Sequence, residues 1–283
     1  MWFVDGKQKC HKTVIDKVIL LTSIYDCSLK LVYDRRFRTQ ERHYWLSDEK
    51  HNQMQNAWNE THEKHLAEIN KALAAARVSY DLTMIEKADF SRVVSDMFDD
   101  NSDNILLLQN EKAGLRHPIF QELSALPFSV FLLTEQKWAK IPNIIGAVDP
   151  LHENSRPFDI DGKIVNQIKK LAKKLSANWT IAHACFIQPM FLGYKAQFED
   201  IHREGLYRFT NALGIKKENT ALLKGMPEEA LANWIKNNKG DLLVLGIIAR
   251  NKLMAHLVGS TTIALLYEPP CDMLLLKSHS HLD

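Results

Sequence analysis

From residue 144 onward, apolar runs of strand length alternate with stretches whose apolar residues recur at helical spacing. Ile144–Asp149 (IIGAVD) is a short apolar run ending in an acid. In Lys163–Leu175, Ile164, Ile168, Leu171 and Leu175 lie on one face, and Lys169, Lys170, Lys173 and Lys174 on the other. Trp179–Ile187 reads as a buried strand, Glu199–Leu213 as a helix and Thr220–Leu223 as a strand. Pro227, followed by Glu228 and Glu229, opens a helix that runs to about Asn238 and stops at Gly240. Asp241–Gly246 (DLLVLG) and Cys271–Lys277 (CDMLLLK) complete the strands. Strands this apolar are covered on both faces, and alternating β and α elements imply a parallel sheet.

The first half repeats the order. Asn104–Leu108 echoes Asp241–Leu245 at an offset of 137, and Pro127–Thr134 echoes Pro270–Lys277 at 143. Lys17–Asp26 (KVILLTSIYD) is matched to Trp179–Ile187 as a strand at about 161, with a longer loop and helix over Leu29–Arg77 absorbing the difference. On that alignment the partner of Asp149 falls before the chain begins; either Met1–Asp5 is a cut-down first strand, with Val4–Asp5 mirroring Val148–Asp149, or the first sheet has a gap there. The expected fold is α/β, with two tandem doubly wound parallel-sheet domains. The first, residues 1–136, is abbreviated at its N-terminus and lacks a normal first βα unit; the second, residues 137–283, is complete. Only Gly6 and Gly114 of the 11 glycines precede Gly146, which leaves the first copy poor in the close backbone approach a phosphate cradle needs.

Composition narrows the class without naming it. Of the 283 residues 46% are hydrophobic and 25% charged, with 36 Lys plus Arg against 34 Asp plus Glu, as in an ordinary globular protein. No apolar run reaches the ~18 residues of a membrane span. Four scattered cysteines without a CxxC pair suit a reducing compartment, so the expectation is a cytoplasmic protein. The charge of +5 over residues 137–283, against −3 over 1–136, suits an anionic ligand in the second half.

The main candidate chemistry follows the fourth strand of the second half. Gly246-Ile-Ile-Ala249-Arg250 leads through eight residues to Gly259-Ser260-Thr261-Thr262, which opens a helix. Free N–H groups at a helix N-terminus, with hydroxyls, make an anion site, and open α/β sheets bind ligands at this end. The plainer alternative is a turn at Gly259 and a helix cap at Ser260 or Thr261.

These residues resemble the universal stress protein family, above all its tandem, UspE-type members. The family's nucleotide-binding pattern of Gly, two residues, Gly, nine residues, Gly and Ser or Thr falls on Gly246, Ala249, Gly259 and Ser260. Asp149 in AVDP matches the family's acid at the end of the first strand, which contacts the adenosine part. Gly225–Pro227 matches its Gly-x-Pro. The likeness is specific over residues 141–277 and rests on element order over 17–134. It implies strand order 3-2-1-4-5, pairing of the domains about a pseudo-twofold axis through the last strands, and a stress-response role. It further implies ATP, ADP or AMP, or another anionic small molecule, in the second domain, with no metal required. Asp149, Gly246, Ala249, Arg250, Gly259, Ser260 and Thr261 are the expected ligand residues. Ala249 departs from the pattern: if the position needs positive φ, alanine costs about 1 kcal/mol or more. Arg250 could offset this by pairing with phosphate.

The remaining motifs point elsewhere or nowhere. Gly6–Thr13 is one residue from a Walker A loop, but His11 stands in place of its second glycine. His62-Glu63-Lys64-His65 has the wrong spacing for a zinc helix and reads as a solvated face. His183 reads as a satisfied strand residue, and the lysine face of Lys163–Lys174 as a solvated one. No nucleophile, base or paired-carboxylate arrangement is visible, so the expectation is a non-enzymatic, ligand-binding protein. Its partner is a small molecule, not nucleic acid; its domains pair within the chain, and a homodimer is a further arrangement. The rivals are a ligand-free interaction protein and, last, a slow ATPase.

Overall fold

A computed structural model describes residues 1–6, 9–35, 47–85, 93, 104–110, 128–151, 160–247 and 260–277. The chain divides into two compact units, Met1–Gln109 and Asn110–Asp283.

The first unit runs β1 (Trp2–Asp5), α1 (Lys12–Tyr25), β2 (Leu29–Asp34), α2 (Asp48–Ala75), β3 (Tyr80–Ile85) and β4 (Ile105–Gln109). Its strands are parallel, in the order β3-β2-β1-β4. The second unit holds β5 (Ser129–Leu133), β6 (Asn143–Ala147), α3 (Ile160–Leu175), β7 (Asn178–Cys185) and α4 (Lys195–Ala212). It continues with β8 (Thr220–Lys224), α5 (Pro227–Asn237), β9 (Leu242–Ile247), α6 (Ser260–Tyr267) and β10 (Asp272–Lys277). Its strands lie in the order β5-β10-β9-β6-β7-β8, parallel except that β5 runs against β10. The second copy therefore has the expected 3-2-1-4-5 order.

Two expectations need correction. Residues 17–25 are helix, not strand: Val14, Ile15, Val18, Leu21 and Ile24 are buried at helical spacing, while Leu20 is 39% exposed on the other side. His11 caps α1, its Nδ1 accepting from the Thr13 N–H at 3.2 Å, and Asp26 closes it at φ 49°. Met1–Asp5 therefore supplies a real first strand, and the first copy has its βα unit. It is abbreviated only in length, with 27 residues from the start of β1 to that of β2 against 35 from β6 to β7. Strands β2 and β3 lie where a loop and helix, and then no element, were expected.

The boundary falls at Gln109/Asn110 rather than after residue 136 because β5 is bonded into the second unit's sheet. Leu132, Phe131 and Val130 pair with Met273, Leu274 and Leu275, so the last strands do meet. All six side chains are fully buried, and each such apolar residue contributes about 1.5–3 kcal/mol. Two buried carboxylates fasten the segment that follows β5. Asp272 accepts from the Thr134 N–H (2.7 Å), the Thr134 hydroxyl (2.6 Å) and the Trp138 indole N–H (2.7 Å). Asp241 accepts from the N–H groups of Ala139 (3.0 Å) and Asn143 (2.9 Å).

The solvated lysine face of α3 is as expected: Ile164, Val165, Ile168 and Leu171 face the sheet, and Lys170, Lys173 and Lys174 are exposed. His62 is not on a solvated face; it is 3% exposed. The four cysteines are free thiols. Burial pushes the Cys10 thiol up to about 12, which leaves it protonated and unreactive. Among the described residues no helix is long and apolar enough to cross a membrane, and no cluster of three or more His, Cys, Asp or Glu could hold a metal ion.

Candidate functional site

In the second unit the strand order reverses between β6 and β9, so the crevice of an open parallel sheet lies beyond the carboxyl ends of those strands. Asp149 stands there, two residues past β6, with its side chain 38% exposed. Its backbone N–H donates to Asp161 Oδ2 at 3.1 Å, which fixes it to the first turn of α3. Asp161 is itself buried, and an acid in a first turn suits the helix dipole.

Beside Asp149 the fold builds a histidine pair. His183 in β7 is 2% exposed, with Nδ1 3.1 Å from the Val148 carbonyl and 3.9 Å from Asp149 Oδ1. A carbonyl oxygen can only accept, so Nδ1 carries the hydrogen. In the neutral imidazole Nε2 is then the acceptor for the Nδ1–H of His202 on α4, 2.8 Å away. The rings stack with centroids 5.0 Å apart. This agrees with the reading of His183 as a satisfied strand residue, while spacing gave no sign of His202 as its partner. Leu151 packs against α4 at Gly205, where an added Cβ would lie 2.4 Å from Leu151 Cδ2. The loop after β6 is thus held to α4 by a hydrogen-bonded pair and an apolar contact.

Gly246 is the penultimate residue of β9, and its missing side chain has a packing explanation. A Cβ there would come within 2.3 Å of Ile160 Cγ1, at the start of α3. The first turn of α3 therefore touches both Gly246, through Ile160, and Asp149, through Asp161. Thr261 is placed against α5: its hydroxyl makes a long 3.5 Å contact with Glu228 Oε2. Ser260 is the first residue of α6. Ala249, Arg250 and Gly259 lie outside the described residues. Gly225 has φ 113°, which a side chain would strain, and donates to the Cys185 carbonyl at 3.1 Å; Pro227 then opens α5 as expected.

Comparison with known proteins follows the same lines. Residues 160–277 match the universal stress protein family. The chain is 22% identical over 205 residues to universal stress protein E of Photorhabdus laumondii, a match covering 66% of this chain and 65% of that protein. It is 21% identical over 278 residues to a universal stress protein E homolog of Haemophilus influenzae, covering 92% of this chain and 86% of the relative. In structure it is similar to a universal stress protein of Pseudomonas aeruginosa UCBPP-PA14 (TM-score 0.67, 16% identity, 97% of this chain and 91% of that one). A second similar structure is a universal stress protein of Archaeoglobus fulgidus (TM-score 0.62, 13% identity, 98% and 97%). At these identities the structures speak for the fold.

Proposed function

Because the chain belongs to the universal stress protein family, with the stress-response role that membership implies, we propose that its second unit binds an adenine nucleotide or another anionic small molecule. It does so as a cytoplasmic sensor and not as an enzyme. The placement of Asp149 carries this reading. A half-exposed carboxylate stands at the switch point of the sheet, with its backbone pinned to Asp161 and His183 alongside. It is a fixed acceptor suited to the hydroxyl or amino donors of a nucleoside. The first turn of α6, opening at Ser260, would supply N–H groups to a phosphate. Ala249 and Arg250, in the segment between β9 and α6, would border the phosphates.

Glu228 favours a second reading. Its carboxylate lies against Thr261 in the first turn of α6 and opposes a phosphate there. Under that reading the crevice binds no nucleotide, and the protein works through its surfaces.

Calorimetric titration of the full chain with ATP and AMP separates the two. The proposal expects saturable binding that weakens about tenfold in Asp149→Ala, the loss of one hydrogen bond to a charged acceptor. Binding unaltered by that substitution removes Asp149 from the site, and no binding of either nucleotide favours the second reading.

A further inference from the structure

In the first unit the strand order reverses between β1 and β4, so its switch-point crevice lies beyond Asp5 and Gly6. The chain fills this place itself. The His62 imidazole, from α2, lies so close over Gly6 that an added Cβ would stand 2.3 Å from its Cε1 and 2.5 Å from Nδ1. Nδ1 shares a 2.9 Å hydrogen bond with the Tyr33 hydroxyl, and the Trp58 ring packs on the imidazole at 4.3 Å between centroids. Nε2 is buried and meets no hydrogen-bond partner among the described residues. Along α2 the fully buried side chains are His62, Ile69 and Leu73. His62 is thus the single deep anchor of the helix before Ile69.

We propose that His62 is a removable plug of the first unit's switch-point crevice, closing it when neutral and leaving it when protonated, with the first half of α2 following. A neutral imidazole has one N–H and one lone pair, and Tyr33 can satisfy Nδ1 in either role. Protonation puts a hydrogen on both nitrogens, so a buried charge then carries an N–H at Nε2 with no acceptor among the described residues. Among the described residues the titratable groups around the ring are Tyr33 and Asp34 of β2, Asp5 at the end of β1, Arg35 just past β2, and His65 on α2 itself. Burial is the largest influence and holds the imidazole below its ordinary value of 6.5. His65 and Arg35 act in the same direction, and Asp5 and Asp34 oppose them.

The sign follows. A released imidazole takes up its proton near 6.5 and the seated one only at lower pH. Closure is therefore at full strength above about 6.5 and weakens as pH falls below it. One pH unit below 6.5, the released form gains at most about tenfold over the seated one.

Amide hydrogen exchange of the full chain at pH 7.5 and 5.5, corrected for intrinsic rates, tests this. Peptides from residues 48–66 are expected to lose protection at pH 5.5, by up to about tenfold, while residues 69–75 change little. His62→Gln and His62→Phe, which cannot titrate, are expected to abolish the pH dependence. Wild-type protection that is the same at both pH values overturns the proposal, whether or not the variants fold. So does a loss spread evenly along α2, or one that persists in both variants.

Discussion

Replacing Asp272 by alanine is expected to lower the stability of the second unit by about 3–5 kcal/mol, a fall in Tm of roughly 10 °C. Asp272 is 1% exposed and satisfies three donors at 2.6–2.7 Å: the Thr134 N–H and hydroxyl and the Trp138 indole. Hydrogen bonds to a charged acceptor are the strong ones, and removing the carboxylate takes that acceptor from three part-buried donors at once. The Thr134 N–H is the first after β5, so the loss also loosens the antiparallel pairing of β5 with β10. Trp138→Phe removes one donor and should cost only about 1–2 kcal/mol. Thermal melts followed by circular dichroism suffice. A shift for Asp272→Ala no larger than that for Trp138→Phe would show that the carboxylate is not the fastening point.

Gly6→Ala is expected to destabilise the first unit by about 3 kcal/mol, the upper end of the usual cost of overpacking. The new methyl would meet the Asp34 carbonyl oxygen at 2.4 Å as well as the His62 ring at 2.3 Å. These neighbours differ in kind. His62 can swing away, but Asp34 O accepts a 2.8 Å hydrogen bond from the Gly6 N–H itself and belongs to a strand paired on both sides. The variant His62→Ala should therefore recover only part of the loss when combined with Gly6→Ala. Denaturant melts of the two single variants and the double measure this; full recovery would mean the His62 contact alone makes glycine necessary at residue 6.

The second copy was largely legible because its helices and strands differ in period. The face of Ile164, Ile168 and Leu171 in α3 and the continuous apolar runs of β9 and β10 allow little confusion. In the first copy the continuous run Val18–Leu21, rich in β-branched neighbours, hides the helical spacing of α1, and a short apolar run does not by itself separate strand from buried helix. The repeat held the clue. Strands start at residues 2, 29, 80, 105 and 129 in the first copy and at 143, 178, 220, 242 and 272 in the second. The true offsets are 141, 149, 140, 137 and 143, so the offset of about 161 assigned to Lys17–Asp26 was the outlier.

The resemblance singled out Asp149, and the fold places it at the carboxyl end of β6, where the strand order reverses. At Gly246 the sequence gives no sign of the packing demand for glycine, which comes from Ile160, 86 residues earlier in the chain. His202, Glu228 and Asp272 depend on partners 19, 33 and 138 residues away, and no spacing rule reaches that far. His62 was missed because the polar residues around it mark a solvated helix, whereas the opposing glycine lies 56 residues upstream.

If the second unit holds a nucleotide or similar anion, the protein should carry it through purification. The full chain would be purified gently, denatured, and the released small molecules identified by mass spectrometry, with Asp149→Ala prepared in parallel. ATP, ADP or AMP approaching one per chain, and reduced in the variant, is the predicted result. Release of no anionic molecule, or of the same amount from Asp149→Ala, would contradict it.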